Sequence, residues 1–262
     1  ELEEGQAEYL HYGLHATPDM PTVLAQRRST DLIWQHLPPP CRLLEVGIGL
    51  GTLLARLIAA GYHAKGIAPD PAQVACARMR HGNALPAACV GLEDFSENAG
   101  NWDLLLLHES AQYIEPLDLF TQASRLLAEH GEIIVLDEFA LRRTLPGSEN
   151  LHVLEHFLAL AGRFGFAVAE QFDLSVQAAP TLDYLLRVVP RHASALQRDL
   201  GVSAKTLEAL SAANAAYREK YADGRRGYFL LKLRRQTRPR WRVGRVGPDN
   251  AAAMRTLFAE VF

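Results

Sequence analysis

Short apolar runs alternate with longer amphipathic ones along most of this chain. Residues 42–46, 63–67, 87–91, 102–107, 132–136 and 166–172 predict strands. Between most of them, residues 52–60, 71–80, 116–128 and 148–164 carry apolar side chains at helical spacing. The fourth run, Trp102 to Leu107, is nearly continuous in apolar character. That is the mark of a strand buried on both faces, as in a parallel sheet covered by helices. Gly61, Gly131 and Gly165 each follow a predicted helix, where a left-handed residue closes the last turn. Residues 1–38 predict an N-terminal helical cap that ends at Pro38, Pro39 and Pro40. Residues 178–227 break the alternation with two or three helical stretches, punctuated by Pro180, Pro190 and Gly201, before a last strand over 228–233. The expected fold is an α/β, Rossmann-like, doubly wound and mostly parallel sheet of seven strands, with the helical insertion before the last.

The first strand runs into Gly47, Gly49 and Gly51, spaced G-x-G-x-G, with Glu45 two residues before the first glycine. Glycine lets backbone approach a ligand closely, and the amides at the start of the following helix can face a polar or anionic group. A dinucleotide fingerprint would be G-x-G-x-x-G, and counting from Gly47 its third glycine falls on Thr52. Nicotinamide chemistry therefore fits poorly. A tight strand-to-helix turn with no ligand is the plain alternative.

This acidic-x-G-x-G-x-G stretch resembles the first motif of class I S-adenosylmethionine-dependent methyltransferases. The resemblance covers about residues 9–235, specific at the glycine turn and generic elsewhere. It implies that Glu45 and the three glycines hold the methionine part of S-adenosylmethionine, with S-adenosylhomocysteine as product. In that family an acid closes the second strand and takes the ribose hydroxyls. Here that position is Ala68, and Asp70 comes two residues later. Either Asp70 reaches the ribose, or it only caps the helix that starts at Pro71. Leu92, Glu93 and Asp94 occupy the stretch expected along the adenine. Tyr12, in an aromatic segment with Tyr9 and His15, and Gln26 match cofactor-covering positions of small-molecule members.

The fourth strand ends in His108, Glu109 and Ser110, at the sheet edge where ligands of such folds bind. This tip lacks the Asn/Asp-Pro-Pro-aromatic pattern of nucleic-acid and protein amide methyltransferases. His108 is the first candidate for a base, because imidazole titrates near neutral pH. Glu109 is its candidate partner, or a holder of a cation or metal. Hydrogen bonding to the cofactor or backbone is the bland alternative for His108. Glu138 at the end of the fifth strand, His152 and His156 on the next helix, and Tyr184 and Tyr221 in the insertion are candidate substrate contacts. Tyr184, Tyr217, Tyr221 and Tyr228 suit cation–π contact if the substrate is cationic. The run His152 to His156 matches H-x-x-E-H, but outside any metalloprotease context, and it is read as accidental. No metal is expected, with a metal role for His152 and His156 under the lid as the alternative.

Composition adds limits. The net charge of −3 gives no reason to expect nucleic acid as the main partner. No apolar run approaches a membrane span, no signal peptide is visible, and Cys41, Cys76 and Cys89 show no metal spacing. A cytoplasmic protein with reduced thiols is expected. The domain expectation is a cap over 1–38, a methyltransferase domain over 39–235 with its lid at 178–227, and a remainder over 236–262. Seven Lys/Arg lie between Lys232 and Arg245 with no acid among them, which suggests a linker. Residues 241–262 resemble the opening strand and helix of a GNAT-type acyltransferase. The expected activity is methyl transfer to a small-molecule nucleophile. One alternative is the methyltransferase part of an acyltransferase fusion in natural-product biosynthesis, acting on a carrier-protein-bound acyl group. The other is a non-catalytic cofactor-binding module.

Overall fold

A computed structural model describes residues 7–141 and 151–236, together with Gly5. Helix α1 (Thr22–His36) leads into β1 (Arg42–Val46), α2 (Thr52–Ala59), β2 (His63–Ala68), α3 (Pro71–His81) and β3 (Ala87–Cys89). Then come β4 (Trp102–His108), a 3-10 turn (Ala111–Tyr113), α4 (Pro116–Leu126), β5 (Leu127–Ala140), α5 (Leu154–Arg163) and β6 (Phe166–Asp173). The insertion holds α6 (Ser175–Ala178), α7 (Pro180–Arg191), α8 (Ala193–Leu200) and α9 (Ala204–Ala222), and β7 (Arg226–Arg235) follows it.

The seven strands form one sheet in the order β3-β2-β1-β4-β5-β7-β6. Strand β7 runs antiparallel to both β5 and β6, and the other pairings are parallel. The expected doubly wound, mostly parallel sheet is therefore present. Its strand order reverses between β1 and β4, so the carboxyl ends of these two strands border the crevice where such folds bind ligands.

The apolar run of β4 shows why both faces are covered. Leu104 and Leu106 pack on the side of α2 and the lid, with Leu54, Leu57 and Leu182. Leu105 and Leu107 point the other way, against Phe120, Phe139 and Phe157. Side chains alternate along a strand, so only a run apolar at every position can fill two layers. Strand β6 lies at the sheet edge and is largely exposed.

Two expectations are corrected. The segment before α1 is not helical over residues 7–21. It is an extended strap held from outside, with Leu14 N donating to Ala25 O and His15 N to Gln177 O, both at 2.8 Å. Gly131 does not close a helix. Helix α4 stops at Leu126 and β5 starts at once, so Gly131 lies within the strand. The pairing explains this: Trp102 faces Leu127 and then Leu104 faces Glu132, which leaves Ala128 to Gly131 as an irregularity. Residues 178–227 hold three helices, α7, α8 and α9, as expected, and Pro190 lies inside α7 near its end. The GNAT-like stretch 241–262, and most of the basic run, lie outside the described residues.

Candidate functional site

The glycine turn is built by left-handed backbone. Gly47, Gly49 and Gly51 have φ of 83°, 51° and 78°, values that L side chains adopt only with strain. Gly47 is also pressed against β4, since a Cβ there would sit 2.5 Å from the Ser110 Cβ. The Ser110 hydroxyl donates to Val46 O, tying the two strand ends together. Gly49 differs: a Cβ on it would meet nothing within 4 Å, because it faces open space.

That space is a cavity of about 410 Å³ at the carboxyl ends of β1, β2 and β4, in the size range of small-molecule sites. Glu45 lines it. Its side chain is buried (3% exposed), and Oε2 has no hydrogen-bond partner among the described residues. Burial pushes its carboxyl up to about 8. An orphaned, buried carboxylate facing an open cradle is the chemistry that receives a ligand's ammonium group. The amides of the glycine turn and the start of α2 can receive a carboxylate. Both ends of an amino-acid moiety thus fit here.

Asp70 lines the same cavity and caps α3, its Oδ1 accepting from Ala72 N at 2.8 Å. The two roles weighed for it are compatible, since each oxygen accepts independently. Ala68 is fully buried in β2. Leu92 and Glu93 line the cavity, whereas Asp94 is exposed outside its wall.

The strap closes the cavity from the other side. Tyr9, Leu10 and His11 line it. Gln26 reaches the strap rather than the cavity, with Nε2 donating to His11 O at 2.6 Å. The backbone N–H of Tyr12, not its ring, touches the wall, by donating to Glu109 Oε1 at 2.6 Å. The Tyr12 ring stacks on Tyr228, with centroids 6.0 Å apart.

His108 is buried and enclosed. Its ring stacks on His11 at 3.7 Å between centroids, and Nε2 lies 3.2 Å from Ser29 Oγ. Burial, and then the neighbouring His11, hold it well below the usual imidazole range, so the ring is neutral at pH 7. His11 is pushed down to about 4 by burial. Its Nδ1 lies 2.8 Å from Tyr12 O, a carbonyl that can only accept, so that nitrogen carries the proton.

Glu109 adopts φ 53° in the cavity wall, the one non-glycine residue with positive φ among those described. Such backbone costs on the order of 1–3 kcal/mol and gathers at functional sites. Oε1 accepts from Tyr12 N and from the Tyr228 hydroxyl, each at 2.6 Å. Burial raises its carboxyl well above the ordinary range, and Asp137 and Glu138 add to this. Glu138 is buried behind it, with Oε1 accepting from the Tyr221 hydroxyl at 2.7 Å. Tyr184, on α7, carries the Arg187 guanidinium over its ring and lies away from the cavity wall.

His152 and His156 do not converge. His152 Nε2 lies 3.0 Å from Ala111 O and 2.9 Å from Ile114 O, holding the 3-10 turn, while His156 is exposed. Among the described residues no group of three His, Cys, Asp or Glu is placed to hold a metal ion. No helix among them is long and apolar enough to cross a membrane.

Sequence reasoning missed His11, Ser29, Gln73 and Tyr113. His11, Gln73 and Tyr113 line the cavity, and Ser29 supports His108. The strap brings His11, the turn after β4 brings Tyr113, and helices α1 and α3 bring Ser29 and Gln73, so no local motif announces them.

Residues 44–135 match the family described as a methyltransferase domain. No curated protein is similar to the chain in sequence. Solved structures are similar in fold. The cyclopropane synthase MmaA2 from Mycobacterium tuberculosis is 18% identical, with 86% of this chain and 90% of that chain covered and a TM-score of 0.73. The cyclase SpnF is 20% identical, with 87% and 88% covered and a TM-score of 0.71. The geranyl diphosphate C-methyltransferase from Streptomyces coelicolor, with S-adenosylhomocysteine bound, is 18% identical, with 87% and 88% covered and a TM-score of 0.67. Residues 44–135 thus carry a methyltransferase domain, on a fold shared with class I S-adenosylmethionine-dependent methyltransferases.

Proposed function

We propose that the chain methylates a small-molecule nucleophile that gives up a proton, with Glu109 as the base. S-adenosylmethionine supplies a methyl group on a sulfonium, whose sulfur keeps the bonding electron pair. Glu45 would hold its ammonium, the glycine-turn amides its carboxylate, Asp70 its ribose, and Leu92 and Glu93 its adenine.

The observation that carries the reading is the posture of Glu109. Both hydrogen bonds that reach its carboxylate arrive at Oε1. Oε2 is left to accept a proton from an O–H or N–H acceptor in the cavity. Its raised basicity suits that task. His108, neutral and enclosed by His11 and Ser29, shapes the floor instead. The fold alone does not choose the reaction, since SpnF is a cyclase. Small-molecule acceptors are favoured by a cavity roofed by the strap, and by the geranyl diphosphate neighbour. Residues 39–235 form the catalytic unit in this reading, and the helices before β7 are its lid.

The test is calorimetric titration with S-adenosylhomocysteine, with NADH as control, followed by cofactor turnover across a panel of nucleophiles. Micromolar binding of the first ligand only is expected. Glu109→Gln should lower turnover by about 10²–10⁴-fold while S-adenosylhomocysteine affinity holds within a few-fold. Absence of S-adenosylhomocysteine binding sinks the reading, and wild-type turnover by Glu109→Gln removes the base.

A further inference from the structure

Two residues that line the cavity are large apolar side chains left mostly in solvent, Leu10 at 59% exposure and Tyr113 at 80%. A side chain that lines a cavity and also meets solvent stands at its mouth. Leu10 comes from the strap, between Tyr9 and His11, and Tyr113 from the turn after β4. Glu109, Ser110 and Ile114 line the wall from the same β4 tip, so the mouth opens at the end of the cavity that carries Glu109.

Neither side chain sits on loose backbone. The turn that carries Tyr113 is gripped from behind. Gln112 N and Nε2 donate to Asp137, at 3.1 and 3.0 Å, and the His152 ring holds the carbonyls of Ala111 and Ile114. Leu10 is fixed through its neighbours, because Thr52 Oγ1 donates to Glu8 O at 2.7 Å and Gln26 Nε2 to His11 O at 2.6 Å. Single exposed apolar side chains are ordinary on a surface. A pair held out into water at the mouth of a ligand cavity marks an interaction site, since apolar ligand surface would cover both.

The charges on the wall narrow the ligand. Among the described residues that line the cavity, the carboxyl groups are those of Glu45, Asp70, Glu93 and Glu109, and there is no Lys or Arg. His11 and His108 line it as neutral rings. The cofactor would take the first three carboxyls, which leaves Glu109 for the acceptor. An anionic acceptor would meet that carboxylate with no cationic side chain on the described wall to offset the repulsion.

We infer that Leu10 and Tyr113 determine specificity for the methyl acceptor, and that this acceptor carries an apolar body and no anionic group. The body lies between the two side chains, and the nucleophile points inward to Glu109. The inference rests on the methyltransferase reading and gives that same site its substrate class. For a hydroxyl acceptor, the O–H proton passes to Glu109 Oε2 and an oxygen lone pair forms the bond to the methyl carbon. The breaking carbon–sulfur bond leaves its electron pair on sulfur.

The experiment uses protein saturated with S-adenosylhomocysteine. Naphthol and octanol are each titrated against their own phosphate monoesters. Each alcohol should bind about tenfold tighter than its ester, or better. Tyr113→Ala and Leu10→Ser should each weaken the alcohols about three- to tenfold. Tyr113→Phe should keep wild-type affinity, because the ring face rather than the hydroxyl makes the contact. Retained S-adenosylhomocysteine affinity shows that each variant is folded. An ester that binds as tightly as its alcohol, no binding of either alcohol, or alcohol affinity untouched by both Tyr113→Ala and Leu10→Ser overturns the inference. If S-adenosylhomocysteine itself fails to bind, the methyltransferase reading has failed instead.

Discussion

The imidazoles of His11 and His108 lie face to face, 3.7 Å between centroids and 25° from parallel. One ring comes from the strap and the other from the tip of β4, so this contact seals the strap onto the sheet edge. His108 is buried and His11 half-buried, and both are held below the usual imidazole range. Their stability contribution has a definite sign. The unfolded chain binds protons on both rings near pH 6.5, and the folded one does not until far lower pH. Stability is therefore lost as pH falls below about 6.5, continuing to about 4 for His11. A melting series from pH 7 to pH 5 should show this loss, and His11→Phe, which keeps a stacked ring without the proton, should reduce it.

Glu45 has the opposite dependence. Its folded value of about 8 lies above the ordinary 4.5, so the folded chain keeps a proton that the unfolded chain releases. Its contribution falls as pH rises from about 4.5 through about 8. Glu45→Gln should raise the melting temperature of the free protein at pH 8 and weaken S-adenosylhomocysteine binding by about tenfold or more. Ligand binding at pH 7 should release a proton from the wild type, read by calorimetry in buffers of different ionisation enthalpy. No proton release would contradict the ammonium contact.

Two glycines of one turn should fail differently. Gly47→Ala places a Cβ 2.5 Å from that of Ser110 at φ 83°, and should destabilise the fold by about 2–4 kcal/mol. Gly49→Ala meets no protein atom within 4 Å and carries only the left-handed strain of about 1 kcal/mol. It should leave a folded protein that binds S-adenosylhomocysteine poorly. Melting and titration of the pair distinguish a turn that only packs from one that also receives a ligand.

His152 and His156 should also separate. His152→Ala removes the ring that holds Ala111 O and Ile114 O, and should cost about 1–2 kcal/mol. His156→Ala, at an exposed position, should stay within about 0.5 kcal/mol. A chelator should leave the melting temperature unchanged. A shift on chelation would revive a metal role for this helix.

Much of the fold was legible because its cause is local. The unbroken leucines of β4 predicted a strand covered on both faces, and Gly47 to Gly51 after β1 predicted the left-handed turn that lines the cavity. Gly131 misled because helix ends and strand irregularities both recruit glycine, and only the pairing of Trp102 with Leu127 distinguishes them. The strap misled because its aromatic and polar residues fit a helix, yet its hydrogen bonds go to α1, α6 and Glu109.

The site divides in the same way. The chain's own pattern determined the glycine turn, since strand, turn and helix are consecutive and their geometry follows from φ alone. It also named His108, Glu109, Glu138 and Tyr221. What each of these does was decided by tertiary structure, because burial and partners come from residues far away in the chain. His108 is enclosed by His11 and Ser29, Glu109 is gripped by Tyr12 and Tyr228, and Glu138 is bonded to Tyr221. A carboxylate's basicity depends on how much water it loses and which charges face it, and no stretch of neighbouring residues encodes either.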